Sequence, residues 1–464
     1  MSLYDRLARA REQTAQPDAQ DVLEQPALAP EDAAFDPVPE LRGRVHQALL
    51  ESLGPKLYDQ SLTPEQLGTR VRRKVSQILE KEGVSLSTPE RKRLASEVTD
   101  DILGFGPIEP LLRDPTVTEI MVNSTDGIFV ERSGKLERTG ISFANEAHLR
   151  RIIDKIVGGL GRRIDESQPF VDARLPDGSR VNAVIPPVAV DGALLTVRKF
   201  AVEPFRAEDL VANGTLTEKA SAFLAACVEG RANIVVSGGT GAGKTTTLNV
   251  LSSFIPHDER VITIEDAAEL QMLQPHVARL EARPPNTEGR GEITIRDLVR
   301  NALRMRPDRI VMGEARGGEA LDMLQAMNTG HDGSMSTVHA NGPQDAIARL
   351  ETMCLMTGME LPISAVRHQI GRALQLVVHQ ARLRDGSRRI THVSEVMGME
   401  GDTVALQDIF RFDFGMGVDA NGRYRGRCKS TGIRPLLLDG LDDQGITVPP
   451  ALFSAERFAR GAVA

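Results

Sequence analysis

Tryptophan is absent from this chain of 464 residues, and tyrosine occurs only at positions 4, 58 and 424. Aromatic residues make up 4% of the total, too few to build the stacking platforms that grip single-stranded nucleic acid. Cysteine is almost as scarce. Cys227, Cys354 and Cys428 are far apart, so neither a disulfide framework nor a thiolate metal site is expected, which suits a reducing compartment. Excess positive charge is missing as well. The 56 Lys and Arg against 64 Asp and Glu leave a formal charge of −8, which argues against a dedicated nucleic-acid binder. The N-terminal MSLYDRLARAREQ has no apolar segment of signal-peptide type, and no stretch has the apolar length of a membrane-crossing helix. The expectation is a cytoplasmic protein whose membrane contact comes only through partners, with no nucleic acid among them.

What is present changes along the chain. From Gln13 to Glu40 there are five prolines and no basic residue, so residues 1–40 are expected to be a disordered tail. Residues 41–103 hold three segments with apolar residues at three- and four-residue spacing, and predict a three-helix bundle. Thr63-Pro64-Glu65 and Ser87-Thr88-Pro89-Glu90 are helix starts, with a capping hydroxyl, an early proline and an acid in the first turn. The basic runs at Arg70–Lys74 and Arg91–Arg93 read as solvated faces. A mixed region, 104–210, contains strands at 119–124, 127–134, 180–188 and 193–200 and an amphipathic helix at 148–161, and is taken as one α/β domain. The remainder, 211–464, forms a second α/β unit.

Its strongest signal is ANIVVSGGTGAGKTTTLNVLSSFI. Ala232 to Val236 is a buried strand, and Gly238, Gly239, Thr240, Gly241, Ala242, Gly243, Lys244, Thr245 and Thr246 form a Walker A loop opening a helix. Glycines let successive N–H groups face phosphate oxygens, and the helix start adds its positive dipole end. Lys244 is expected on the β- and γ-phosphates and the Thr245 hydroxyl on Mg²⁺. No N-K-x-D segment of guanine-specific type occurs, so the expected ligands are ATP and Mg²⁺.

Two acidic strand ends follow. ERVITIED places Glu265 and Asp266 after one apolar run, and RIVMGEARG places Gly313 and Glu314 after another. Position 313 is where such folds usually carry a metal-holding aspartate, so Glu265 and Glu314 are the candidates to hold metal-bound water and to orient the attacking water. Asp266 and Glu269 read as structural caps. In TGHDGSMSTVHANG, Gly330 and Gly333 mark a turn, and His339 ends a short strand as a neutral imidazole placed to donate to a γ-phosphate. Two histidines without clustered acids or thiols make a poor metal site.

Together, the Walker A loop, ITIED, the aspartate-less IVMGE and STVHAN resemble, in this order, the four motifs of the type II/type IV secretion ATPase superfamily. The resemblance runs from about Gly104 to Phe412. Within it, DARLPDGSRVNAVIPP, LRMRPDRIVMGEARG and MNTGHDGSMSTVHAN look like the branch serving tight-adherence (Tad/Flp) pili, the CpaF-like ATPases. The resemblance implies an α/β fold in which a RecA-like P-loop NTPase domain follows a smaller α/β (PAS-like) domain and a helical bundle. It implies a homohexamer that hydrolyses ATP to drive assembly, and possible retraction, of a pilus on an inner-membrane platform protein. It gives Glu265 and Glu314 the work of the absent aspartate, leaving open which is the base. It brings arginines of the smaller domain to the phosphates, with Arg174, Arg180 and Arg198 as candidates. Three scattered cysteines cannot build the four-cysteine zinc site of many relatives, which points to the Tad or conjugation-type branches. The alternatives are a conjugation-type traffic ATPase and a RecA-like nucleic-acid motor.

Overall fold

The computed structural model describes residues 44, 45, 48, 49, 52, 64–81, 87–125, 127–132, 134–159, 162–200, 205–285 and 290–459. The expected tail at 1–40, most of the first bundle helix and residues 201–204 lie outside them. The chain divides into two compact units, Met1–Glu109 and Pro110–Ala464. Both segments expected as α/β domains fall, from residue 110 onward, in the second unit.

In the first unit, α1 (Pro64–Lys81) and α2 (Thr88–Leu103) turn their apolar stripes inward. Val71, Val75, Ile78 and Leu79 meet Leu94 and Val98, and Val45 and Leu49 complete the core. Helix α2 starts where a reciprocal cap satisfies two backbone donors: Ser87 N–H donates to Glu90 Oε2 (2.7 Å) and Glu90 N–H to Ser87 Oγ (3.4 Å). Arg70, Arg72, Arg73, Lys92 and Arg93 are exposed, as a solvated face requires.

The second unit carries two sheets. The smaller contains β1 (Val117–Asn123), β2 (Gly127–Arg132), β3 (Lys135–Arg138), β4 (Phe170–Arg174), β5 (Arg180–Val184) and β6 (Leu194–Arg198), in the order β3-β2-β1-β6-β5-β4. All its pairings are antiparallel. Strands β3 and β4 were not expected. The first is fully exposed and the second buries one side chain, so neither shows an apolar pattern. Helix α3 (Glu146–Gly159) buries Leu149, Ile152, Ile153, Ile156 and Val157 at helical spacing.

The larger sheet has nine strands: β7 (Ile234–Gly238), β8 (Val261–Glu265), β9 (Val277–Glu281), β10 (Arg309–Ala315), β11 (Met335–His339), β12 (Leu376–Arg382), β13 (Arg388–Glu400), β14 (Thr403–Phe412) and β15 (Cys428–Ser430). Their order is β15-β14-β13-β12-β7-β11-β10-β8-β9. From β12 to β9 the pairings are parallel, and β13 to β15 add an antiparallel extension. Along β7 the side chains alternate between two cores. Ile234 and Val236 pack with α4 (Glu218–Glu229) and α5 (Lys244–Ser252), while Val235 packs with α6 (Ile295–Ala302), α7 (Glu319–Asn328), α8 (Pro343–Leu355) and α9 (Ile363–Ala373). Helices thus cover both faces, which is why the central strands read as unbroken apolar runs. This is the α/β P-loop fold expected from the sequence, with the strands' carboxyl ends gathered on one edge.

At the opposite edge lies a fully buried cation. Arg309, the first residue of β10, has no exposed surface. Its guanidinium pairs through Nε and Nη2 with Glu259 and donates to Gly333 O (3.4 Å) and Glu229 O (3.5 Å). A Cβ on Gly333, whose φ is +77°, would stand 1.9 Å from Arg309 Nη1. The glycine of that turn is therefore fitted against the buried arginine. Arg309→Met strands Glu259 with only Arg231 at 3.2 Å. We expect a loss of about 3 kcal/mol in urea unfolding, partly recovered when Glu259→Gln removes the orphaned charge as well.

Candidate functional site

The phosphate-binding geometry begins where β7 ends. All five residues of β7 are buried, and Gly238 is pinned against β12: a Cβ there would lie 2.2 Å from Gln380 O. The chain then turns through Gly239, Thr240, Gly241 and Ala242 to Gly243, whose φ of 97° is left-handed and places it as the N-cap of α5. No side chain caps the helix, so the first-turn N–H groups around Lys244, Thr245 and Thr246 are left for a ligand. The loop is braced from behind. Thr247 Oγ1 donates to Gln380 Oε1 (2.6 Å), and Arg388 Nε donates to Gly241 O (3.0 Å).

Parallel pairing brings the other candidates to the same edge. His339 lies beside Gly238 in the register of β11 with β7, and β10 lies between β11 and β8. Lys244 Nζ donates to Gly239 O (3.2 Å) and stands 3.2 Å from His339 Nε2. The same imidazole nitrogen is 2.9 Å from Glu314 Oε1. A ring nitrogen holds either a proton or a lone pair, so it can serve the lysine or the carboxylate but not both. Glu314 Oε1, although close to the ring, is buried without an aligned hydrogen bond. Glu314 Oε2 accepts from Arg316 Nη2 (2.7 Å) and Nε (2.9 Å), and Arg316 Nη1 also reaches Asp266 Oδ2 (2.8 Å).

Glu265 is the buried acid of the site, 3% exposed at the end of β8. Its Oε2 accepts the N–H groups of Glu269 (2.8 Å) and Leu270 (2.9 Å), while Oε1 is buried without a partner. A Cβ on Gly313 would lie 3.0 Å from Glu265 Cγ. The space that an aspartate at 313 would enter is thus filled by Glu265, reaching across from the neighbouring strand.

Burial dominates the electrostatics. It raises the Glu265 carboxyl to about 7, against the lowering effect of the two amides. Burial also lowers Lys244, opposed by Glu314 and reinforced by Arg316 and Arg198. His339 is lowered by burial and then by Lys244, which keeps the ring neutral at neutral pH. Lys244, Arg316 and Arg198 therefore form a cationic neighbourhood beside Glu314, while Glu265 is offset by Arg279; such a setting suits a polyphosphate with its metal. The uncapped helix start, the Thr245 hydroxyl and the unpartnered Glu265 Oε1 could hold them.

The arginine candidates form one row. Arg174 lies opposite Arg180 in the β4–β5 register, Arg180 opposite Arg198 in β5–β6, and Arg198 opposite Glu119 in β6–β1. Like charges directly opposite one another destabilise a sheet, so each needs an acid. Arg198 Nε pairs with Glu119 (2.7 Å), Arg180 Nη1 with Glu269 (2.8 Å), and Arg174 Nη1 with Glu281 (2.8 Å). Of the three, Arg198 acts electrostatically on Lys244, while Arg174 and Arg180 grip the segment after β8. Asp266 and Glu269, read as caps, are instead the acids of two ion pairs, because guanidinium groups from elsewhere in the fold reach them first.

Three members of the site escaped sequence reading. Arg316 lies two residues past Glu314, and that short spacing was its available signal. Gln380 and Arg388 have none, because their contacts with the loop depend on β12 pairing with β7 and β13 with β12. Among the described residues no group of three or more His, Cys, Asp or Glu is placed to hold a metal on its own, and no helix is long and apolar enough to cross a membrane.

Comparison with known proteins agrees with this architecture. The profile of the type II/IV secretion system protein family matches residues 101–410, and that of the type II secretion system protein E N-terminal domain matches 38–103. A Mycobacterium tuberculosis protein named for conjugal transfer is 40% identical over 326 residues, covering 69% of this chain and 92% of the relative. The conjugal transfer protein TrbB of Rhizobium radiobacter is 33% identical over 297 residues, covering 62% and 86%. The solved VirB11 ATPase of the Brucella suis type IV secretion system, in complex with sulphate, is 30% identical with a TM-score of 0.35, covering 62% of this chain and 92% of that one. With the phosphate loop, the paired glutamates and a match over most of its length, the chain belongs to the type II/IV secretion system protein family.

Proposed function

We propose that the chain is a magnesium-dependent ATPase, working as a homohexamer, that powers a secretion apparatus of the conjugation type from the cytoplasmic face of the membrane. The observation that carries the reading is the meeting of Lys244 with Glu314 and Glu265 on one sheet edge, in a chain whose relatives are named for conjugal transfer and type IV secretion. These relatives weigh toward delivery of substrates over the pilus assembly expected from the sequence. The phrases around Gly313 and His339 that resemble the Tad branch support pilus assembly as the second reading.

In this mechanism the amides from Gly241 to Thr245 bind the β-phosphate, and Lys244 exchanges Gly239 O for phosphate oxygens. Magnesium, bound beside Thr245, would neutralise charge developing on the transferred phosphate. Glu314 lies toward the lysine and His339 and is assigned the orientation of the attacking water, accepting its proton at Oε1. Glu265 lies deeper and is assigned the metal's water through its unpartnered Oε1. Arg198 adds positive charge from the smaller sheet.

Phosphate-release assays should show turnover abolished in Lys244→Ala and lowered at least about 100-fold in Glu314→Gln. Turnover within tenfold of the parent in either would remove these assignments. A second expectation follows from burial of Glu265. Its folded proton affinity is above its unfolded one, so the folded state binds more protons and stability falls as pH rises from about 4.5 to about 7. Glu265→Gln abolishes that loss. Without nucleotide it should melt close to the parent at pH 4.5 and be more stable at pH 8, by on the order of 2 kcal/mol. Parallel melting curves at both pH values would contradict this environment. Co-purification from native membranes separates the two biological readings: a secretion channel component supports delivery, and a pilus platform protein supports assembly.

A further inference from the structure

Three guanidinium groups in one cross-strand row are an unfavourable arrangement; Arg198 pairs with an acid of its own sheet, while Arg174 Nε donates to Gly178 O in its own hairpin (3.2 Å) and finds its acid elsewhere. The other two reach the turn that follows β8 and the strand beside it. Arg180 Nη1 binds Glu269 Oε1 (2.8 Å). Arg174 binds Glu281 Oε2 through Nη1 (2.8 Å) and donates to Ala268 O through Nη2. Ala268 is held twice more, since its N–H donates to Glu281 Oε2 (3.3 Å) and its carbonyl accepts from Arg279 Nη2 (3.4 Å). The next two N–H groups along the turn, Glu269 and Leu270, are the donors to Glu265 Oε2. Gln271 N–H, one residue further, donates to Asn249 Oδ1 on α5 (2.9 Å). The turn is thus gripped by the smaller sheet on one side and tied to the phosphate-loop helix on the other.

We propose that Arg174 and Arg180 are positioning residues for Glu265: they hold the 266–270 turn in the shape that presents two amides to its carboxylate, and neither needs to touch phosphate. This rests on the assignment of Glu265 to ATP hydrolysis. Its chemical content is separate, because the turn's geometry is set by ion pairs that need no nucleotide. Loss of either ion pair loosens the turn that carries the two donors and alters the setting of the acid.

The test is a charge reversal in the full chain. Arg180→Glu sets an acid against Glu269, and the double variant Arg180→Glu with Glu269→Arg restores the pair in the opposite sense. Arg180→Glu also places an acid between Arg174 and Arg198, which relieves the like-charge row and favours retention of the sheet. Thermal melting checks this, and Arg180→Gln replaces the variant should it not fold. Hydrogen–deuterium exchange over residues 266–272, without nucleotide, should quicken by about tenfold in Arg180→Glu and return to the parent rate in the double variant. Steady-state ATPase should show kcat down about tenfold with KM for ATP within twofold, and both recovered in the double variant. Unchanged exchange in Arg180→Glu, or no recovery in the double variant, overturns the proposal. A raised KM with kcat intact also overturns it, by returning Arg180 to direct phosphate contact. If the parent chain shows no ATP turnover, the proposed function fails, and the exchange measurement still decides whether the arginines set the turn.

Discussion

A side chain at position 313 would crowd the arm of Glu265, its Cβ standing 3.0 Å from Cγ. The acid end of the neighbouring strand is packed around that glycine. The strand β10 presents a glycine beside Glu265, so the buried acid at this level comes from the neighbouring strand. An acid arriving from the side must be anchored at its own strand end. The turn after β8 does this by offering two N–H groups to Oε2, which leaves Oε1 directed elsewhere and unsatisfied. Burying a carboxylate in this way raises its proton affinity, against the lowering effect of the two amides.

The cations complete the balance. Arg316 and Arg198 act on Lys244 through space, and burial already disfavours charge on the lysine. Such a cluster is tolerable because Glu314 sits among the cations and Asp266 shares the load of Arg316. The arginine row obeys the same rule on a larger scale. Three like charges on adjacent strands are unfavourable unless acids reach them, and here one acid comes from β9 and another from the turn after β8. Electrostatic compensation of the smaller sheet is therefore also one of the linkages between the two sheets.

How much of this was legible depended on whether the cause was local. The phosphate loop, the buried runs of β7, β8 and β10 and the helix start at Ser87 are written in consecutive residues, and each reading needed only a window of about a dozen positions. Strands β3 and β4 lack an alternating pattern because they border the sheet or bury little, so nothing local announced them. Arg309 stood in plain view at the head of an apolar run. Its burial depends on Glu259, Glu229 and Gly333, brought together by two turns and the end of α4. The roles of Asp266 and Glu269 were misread for the same reason: an acid after a strand looks like a cap until the guanidinium that claims it is located. Residue type announced the chemistry, but partner choice belonged to the tertiary fold.

The single nitrogen at the centre of the site shows how these pieces meet. His339 Nε2 faces an ammonium at 3.2 Å and a carboxylate at 2.9 Å, and neutral imidazole can satisfy one of them. With the proton on Nδ1, the ring accepts from Lys244 and presents a lone pair to Glu314, which repels it. With the proton on Nε2, it faces the lysine without an acceptor, and its alignment on Glu314 Oε1 is too poor for a hydrogen bond. Either tautomer leaves one charged partner poorly served. A polyphosphate at the loop would ease the conflict by taking the lysine's hydrogen bonds, leaving the ring nitrogen to face the carboxylate alone.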